Sequence, residues 1–434
     1  MPFGNYWQRE EVLPKKELED IQLKRLKWVV NHAYRNVPFY RRKMKEAGVH
    51  PWDVKKREDI AKLPFTTKED LRDNYPFGLF AVPKEEVVRI HMSSGTTGKP
   101  KVVGYTKNDL ENWINMVARC LYMVGVRKGD VFQNMVSYTF FTGGLGFHYA
   151  AERIGAMVVP SGAGNTEKQI QYMLDFGTTV IHCTPSYALH IKEVAESMDI
   201  DPRELPVRIG CFGAEPWSEN TRKRIEDAFD IKAFDSYGLS EMNGPGVAFE
   251  CEERNGLHIW IDHYFVEIVD EEGNPVGEGE KGELVLTTLT KEAMPILRYR
   301  TGDITYLIDE RCSCGRTHPK ISRILGRVDD MIVVRGVNVY PSQIEHALMS
   351  IPEVGDHFQV IVTRNTLDEI TVRVEMNEKA FTDELESLKR IQEKVQRTLQ
   401  KELNLRVNVE LVEKGTIERS TGKAKRVIDL RGEV

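Results

Sequence analysis

Residues 93–100 read Ser93-Ser94-Gly95-Thr96-Thr97-Gly98-Lys99-Pro100. Four hydroxyl side chains, two glycines and a lysine fill seven consecutive positions ahead of the proline. Glycine lets the backbone curl so that successive N–H groups converge on an anion. The hydroxyls add neutral donors, and Lys99 adds a mobile charge suited to phosphate. The spacing is not GxxxxGK[ST] and no hydroxyl follows the lysine, so this is not a Walker A loop. Taken alone, the stretch reads either as a cradle for nucleotide phosphates or as a polar turn between the strand-like runs EVVRIHM and KVVGYT.

The surrounding chain supplies the fold class. A helix is expected over residues 17–35, with Leu23, Leu26, Val30 and Ala33 on one stripe. Further on, apolar runs alternate with helical ones: VFQNMV before a helix at 149–154, AMVVP, TVIHCTP before SYALHIKEVAESM, VRIGCFG before SENTRKRIEDAF, and IKAFDSYG. That alternation predicts a mostly parallel, helix-covered sheet. From Leu257 the pattern changes to short strands with Gly/Asn turns, which reads as an antiparallel region. Beyond Asp329 the order MIVVRGV, a helix at 342–349, HFQVIVTR, EITVRVEM, a helix near 383–402 and RVNVELVE predicts β-α-β-β-α-β. The expectation is an α/β protein with a large domain over 1–328 and a small α+β lid over 329–434.

Length and composition narrow the class. A chain of 434 residues exceeds one ordinary hydrophobic core, so two or more domains are expected. A formal charge of -6 offers no electrostatic case for nucleic acid. There is no run of about 18 apolar residues to suggest a membrane span. The N-terminus has neither the basic start nor the apolar stretch of a signal peptide. Six cysteines in this length do not form a disulfide scaffold, so a cytoplasmic protein is expected.

One cysteine group does have ligand character. Cys312 and Cys314 sit in the turn RCSCGRTHP with His318 close by, and upstream Cys251 is followed by His258. Two thiol pairs or their histidine equivalents can close a zinc site. The spacing is not a C-x₂-C knuckle, so unligated cysteines are the competing reading. The ligand set expected is Cys251, His258, Cys312 and Cys314, with His318 as substitute. Cys120, Cys183 and Cys211 sit in apolar surroundings and read as buried thiols.

Four further segments give the chain a family resemblance: YGLSEMNGPG at 237–246, YRTGDI at 299–304, GRVDDMIVVRGVNVYP at 326–341 and ERSTGKAKR at 418–426. In this order and spacing they resemble the adenylate-forming superfamily of acyl-CoA synthetases, adenylation domains and luciferases. FFTGGLGFHYAAERIGAMVVP at 140–160, GAEPWS at 213–218 and the early AYRNVPFYRRK are similar to the phenylacetate–CoA ligases within it. The likeness covers nearly the whole chain. At one point it departs: Lys101-Val102-Val103 follows the loop where many members have Lys-Gly.

The resemblance implies a chemistry. ATP and a small carboxylic acid, most simply phenylacetate, would give an acyl-adenylate and pyrophosphate, and CoA would then displace AMP. Ser93, Ser94, Gly95, Thr96, Thr97, Gly98 and Lys99 would hold the outer phosphates. Gly213, Ala214 and Glu215 would line the adenine edge, and Ser236, Tyr237 and Gly238 its face. Ser240 would meet the α-phosphate and Glu241 a Mg²⁺ ion. Asp303 would grip the ribose hydroxyls, as two donors and one carboxylate dictate, with Arg327 beside it.

Lys423 is the implied catalytic residue, bridging the substrate carboxylate and the α-phosphate. Without the other motifs, the basic cluster around it would read as a solvated run. Asp329 is the implied hinge about which the lid would turn, and Gly336 would leave room for the pantetheine arm. Phe141, Gly143 and Gly144 are nominated for the aryl pocket, as apolar surface beside flexible backbone. The same resemblance leaves room for adenylylation of a deazaflavin coenzyme, for a free-standing adenylation domain loading a carrier-protein thiol, or for an AMP-sensing module. Lys423, Glu241 and Asp303 argue against the last. Phenylacetate, indoleacetate and benzoate-like acids are not separated by sequence, and a homodimer is left open.

Overall fold

The computed structural model describes residues 2–93, 100–335, 337–364, 368–380, 385–420, 424 and 426–431, with 379 described by its backbone alone. The chain divides into two compact units. The first comprises Met1–Gly162, Thr178–His182 and Phe234–Arg323; the second comprises Ala163–Gly177, Cys183–Ala233 and Ile324–Val434.

In the first unit the helix Lys15–Asn36 buries Leu18, Leu26, Val29, Val30 and Ala33 along one stripe. Val131–Asn134 pairs in parallel with Met157–Val159 on one side and with residues 180–182 on the other. The helix Lys107–Met123 packs here, started by a Thr106–Asp109 capping box and burying Trp113, Val117 and Leu121. The antiparallel part follows the expected change of pattern. Residues 236–239 pair with Gly244–Glu250, which pairs with Leu257–Ile259. Tyr264–Val269, Gly282–Thr288 and Tyr299–Thr305 form successive antiparallel neighbours.

The expected helix at 149–154 begins earlier, at Thr142, and ends at Gly155 with φ +96°. Gly143 and Gly144 therefore lie in its first turn and are not flexible loop. The reason is close approach. A Cβ on Gly144 would stand 2.5 Å from the Ser137 carbonyl oxygen, and one on Gly143 would stand 2.3 Å from the Phe141 ring.

In the second unit, Thr166–Phe176, Pro185–Ser197 and Glu219–Phe229 are helices, and Ile209–Gly213 is a buried strand. Thr184 and Ser218 cap the second and third helices with their hydroxyls. The later part differs from β-α-β-β-α-β at both ends. Ile332–Val334 and Val337–Val339 fold on each other as a separate hairpin, with Arg335 at φ +50° in the connection. The fourth strand of the main sheet is Val427–Asp429, parallel to Val354–Arg364. Apolar alternation located the strands, but the left-handed turn at Arg335 breaks the first of them in two. Helices Pro341–Met349 and Leu385–Leu403 close one core with this sheet, centred on Ile344, Leu348, Val360, Val372, Val395 and Leu399.

Candidate active site

The antiparallel turn after residue 236 concentrates chemistry in the first unit. Gly238 is required there: a Cβ would stand 2.2 Å from the Gly244 carbonyl oxygen, so the two strands meet too closely for any side chain. Beside it Tyr237 donates a 2.6 Å hydrogen bond from Oη to Asp303 Oδ2. Ser236, Tyr237 and Asp303 are all buried. Ser240 opens a short 3₁₀ turn, Ser240–Met242, and its hydroxyl lies 3.5 Å from that of Thr142.

Glu241 follows, buried, with Lys101 and the Tyr299 hydroxyl both on Oε1, the latter at 3.1 Å. Burial alone would push this carboxyl toward the neutral acid, but Lys101 and Tyr299 outweigh burial and hold it below the ordinary glutamate value. An ionised carboxylate of this kind fits a hard divalent cation. Ser93 ends the described part of the phosphate stretch, and its buried hydroxyl finds no partner among the described residues. Ser94, Gly95, Thr96, Thr97, Gly98, Lys99, Gly336 and Lys423 lie outside the described residues.

Behind the Glu241 turn lies Lys291, a residue that sequence patterning did not single out. It is buried, donates to Asn243 Oδ1 at 2.5 Å and sits 3.9 Å from the Tyr105 ring centroid. Burial pulls its ammonium down to about 7, with Asp109 and Glu241 opposing. Lys101 and Tyr299 were also missed as partners of Glu241. The one available signal was a lysine immediately behind the phosphate stretch.

Phe141 precedes the helix at Thr142 and is 39% exposed, with its ring over Gly143. Tyr138 lies in a polar network: its hydroxyl accepts from Asn134 Nδ2 at 2.8 Å and is 3.1 Å from His148 Nδ1.

In the second unit Gly213 ends a buried strand, and Ala214 takes the left-handed conformation with φ +69°. That turn presents Glu215, whose two oxygens accept backbone N–H groups, Ser186 at 2.8 Å and Ala424 at 3.2 Å. Arg327 lies 3.9 Å from both Asp329 and Asp330.

The cysteine group of the first unit is brought together. One ligand atom each from Cys251, His258, Cys312 and Cys314 lies within 4.8 Å of all the others. Cys251 and Cys312 sulfurs are 3.6 Å apart, and Cys314 Sγ is 3.3 Å from His258 Nε2. Two sulfurs on a tetrahedral zinc with bonds near 2.3 Å stand about 3.8 Å apart, so the spacing fits. His258 Nδ1 faces the His318 carbonyl at 3.0 Å, the outer contact that leaves Nε2 as the ligating nitrogen. His318 itself stands outside the four, with Nδ1 accepting from Ile261 N–H and Nε2 at the Glu10 carbonyl. Hydrogen bonding with Cys251 and then with His258 lowers the Cys314 thiol, and Cys312 is lowered too, where His258 helps to outweigh burial, while Cys251 is raised.

Comparison with known proteins shows the family. The family model described as AMP-binding enzyme matches residues 21–289, and the one described as AMP-binding enzyme C-terminal domain matches 336–431. The phenylacetate-coenzyme A ligase of Thermus thermophilus is 49% identical over 437 residues, covering 97% of this chain and 98% of that protein. That of Escherichia coli is 49% identical over 419 residues, covering 96% and 95%. A solved 2-hydroxyisobutyryl-CoA ligase with bound 2-HIB-AMP, in the postadenylation state, has a TM-score of 0.95 at 32% identity and covers 100% of this chain and 94% of its own. The chain belongs to the AMP-binding, adenylate-forming enzymes, in the family of phenylacetate–coenzyme A ligases. The fold is that of a large N-terminal AMP-binding domain followed by a small C-terminal domain. Among the described residues no helix is long and apolar enough to cross a membrane.

Proposed function

We propose that this chain activates phenylacetate with ATP and passes the acyl group to CoA. The observation that carries the reading is near-half identity, over almost the whole length, to phenylacetate-coenzyme A ligases. In the first half-reaction a carboxylate oxygen attacks the α-phosphorus, and the bond to the bridging oxygen breaks to release pyrophosphate. In the second, the CoA sulfur attacks the acyl carbon, and AMP leaves with the oxygen it gained.

Within that chemistry Asp303, oriented by Tyr237, binds the ribose diol, and Tyr237 offers its ring to adenine. Glu241 would hold Mg²⁺, which when bound neutralises charge on phosphoryl oxygens. Lys101 keeps the Glu241 carboxylate ionised and in place. Lys423 supplies positive charge to the α-phosphate as the pentavalent phosphorus forms. Phe141 borders the aryl ring. Cys251, His258, Cys312 and Cys314 would hold a zinc ion that staples the antiparallel region and takes no part in the chemistry.

The test is AMP release from ATP-Mg with phenylacetate, indoleacetate and benzoate, with and without CoA. Phenylacetate-dependent AMP formation that requires CoA supports the reading. Release with another acid, and none with phenylacetate, would move the substrate; sustained AMP release without any need for CoA would remove the ligase reading.

A further inference from the structure

Arg419 stands four positions before Lys423 in the sequence. Its guanidinium is clamped between two carboxylates of the second unit. Glu193, on the helix Pro185–Ser197, accepts Nε at 2.9 Å and Nη2 at 3.1 Å. Glu375, on the strand Asp368–Met376, accepts Nη1 at 2.7 Å and Nη2 at 2.8 Å. Both are fork-on-carboxylate pairs with little solvent access: the side chains of Arg419, Glu193 and Glu375 are 17%, 14% and 2% exposed.

Glu375 also accepts the Ile417 N–H at 2.8 Å, and Arg419 itself donates to the Ile417 carbonyl at 2.7 Å. These bonds tie Arg419 to its own segment and to the strand Asp368–Met376. Glu193 is different, because it comes from a helix more than two hundred residues earlier. His190 and His357 also face it, at 3.6 and 3.3 Å. On the far side of Lys423, the Ala424 N–H is held by Glu215. Arg419 and Ala424, which flank Lys423 in the sequence, are thus both held by carboxylates from the earlier part of the unit. A reaction needing one placed charge gains from anchors this near to it in the chain.

We propose that Glu193 is a positioning residue for the adenylation half-reaction, holding through Arg419 the segment that carries Lys423. The proposal rests on the reading that Lys423 serves adenylation. It assigns Glu193 no contact with substrate and no part in thioester formation.

The test separates the two half-reactions in full-length Glu193→Gln, Arg419→Lys and Lys423→Ala proteins. Adenylation is read as phenylacetate-dependent ATP–pyrophosphate exchange, and thioester formation as acyl-CoA from supplied phenylacetyl-adenylate and CoA. Glu193→Gln is expected to slow exchange at saturating substrates about tenfold or more and to keep the thioester step within about twofold. Arg419→Lys, which keeps the charge but loses the fork, should show the same split to a smaller degree. Retained thioester formation also certifies that the variant is folded. Equal loss of both steps, or no loss of exchange, in Glu193→Gln overturns the proposal. If Lys423→Ala keeps its exchange activity, the underlying reading of Lys423 fails, and the proposal falls with it. If Lys423→Ala loses exchange and Glu193→Gln does not, the proposal alone fails.

Discussion

Tyr237 and Asp303, 66 residues apart in sequence, are joined by a buried 2.6 Å hydrogen bond from phenol to carboxylate. The bond fixes the acid proposed for the ribose against the ring proposed for adenine. Tyr237→Phe keeps the ring and removes this donor. The expected loss is about 1 kcal/mol, a roughly fivefold rise in KM for ATP with little change in kcat. A kcat effect with unchanged KM would mean that the pair acts on the chemical step instead.

Lys101 and Glu241 are a nearly dry ion pair, with side chains 14% and 4% exposed. Lys101→Met leaves a buried carboxylate without its main counter-charge, at an expected cost of about 3–5 kcal/mol in stability. Glu241 is held below its ordinary value in the folded protein. Its contribution is therefore present above the unfolded value of 4.5 and is lost as pH falls through the folded one. In Lys101→Met burial loses its main opponent, so the folded value should rise and this acid-side loss of stability should shrink or reverse, while the acid limb of adenylation moves to higher pH. Urea melts and a pH–rate profile check both.

Lys291 allows a test of the same kind at alkaline pH. Its ammonium is lowered from 10.5 to about 7, so between these values the unfolded chain binds the extra proton. Stability should rise with pH across that window relative to Lys291→Met, in which this contribution is absent. Parallel denaturation midpoints at pH 7 and 10 in the two proteins would refute the assignment.

Metal analysis addresses the cysteine cluster. Purified protein should carry about one zinc per chain, and chelation should lower Tm. Cys312→Ser should lose occupancy; a variant that keeps full zinc would remove Cys312 from the site.

The cysteine cluster was legible because Cys312 and Cys314 share one turn, while Cys251 and His258 bracket the approach to the strand that pairs with Lys320. The first and last long helices followed from their apolar stripes, whereas the one at Thr142–Ile154 was placed seven residues late. Pairings between distant residues did not, since Lys101 and Glu241 meet only once the sheet is built, and a lone lysine after a polar loop has no signature of its own. The Gly143-Gly144 turn was misread for a related reason. Glycine pairs signal freedom in a sequence, but here they answer to the Ser137 carbonyl and the Phe141 ring pressed against a helix start. The hairpin at 332–339 reads as one strand from its valines, because its reversal depends on a left-handed arginine that no propensity favours.

The most direct measurement follows the oxygen. Phenylacetate labelled with ¹⁸O in its carboxylate is incubated with ATP-Mg and CoA, and the products are examined by mass spectrometry. Attack on the α-phosphorus followed by thiol displacement predicts one labelled oxygen in each AMP and none in pyrophosphate. Label in pyrophosphate or inorganic phosphate, or unlabelled AMP alongside acyl-CoA, would contradict the adenylate route.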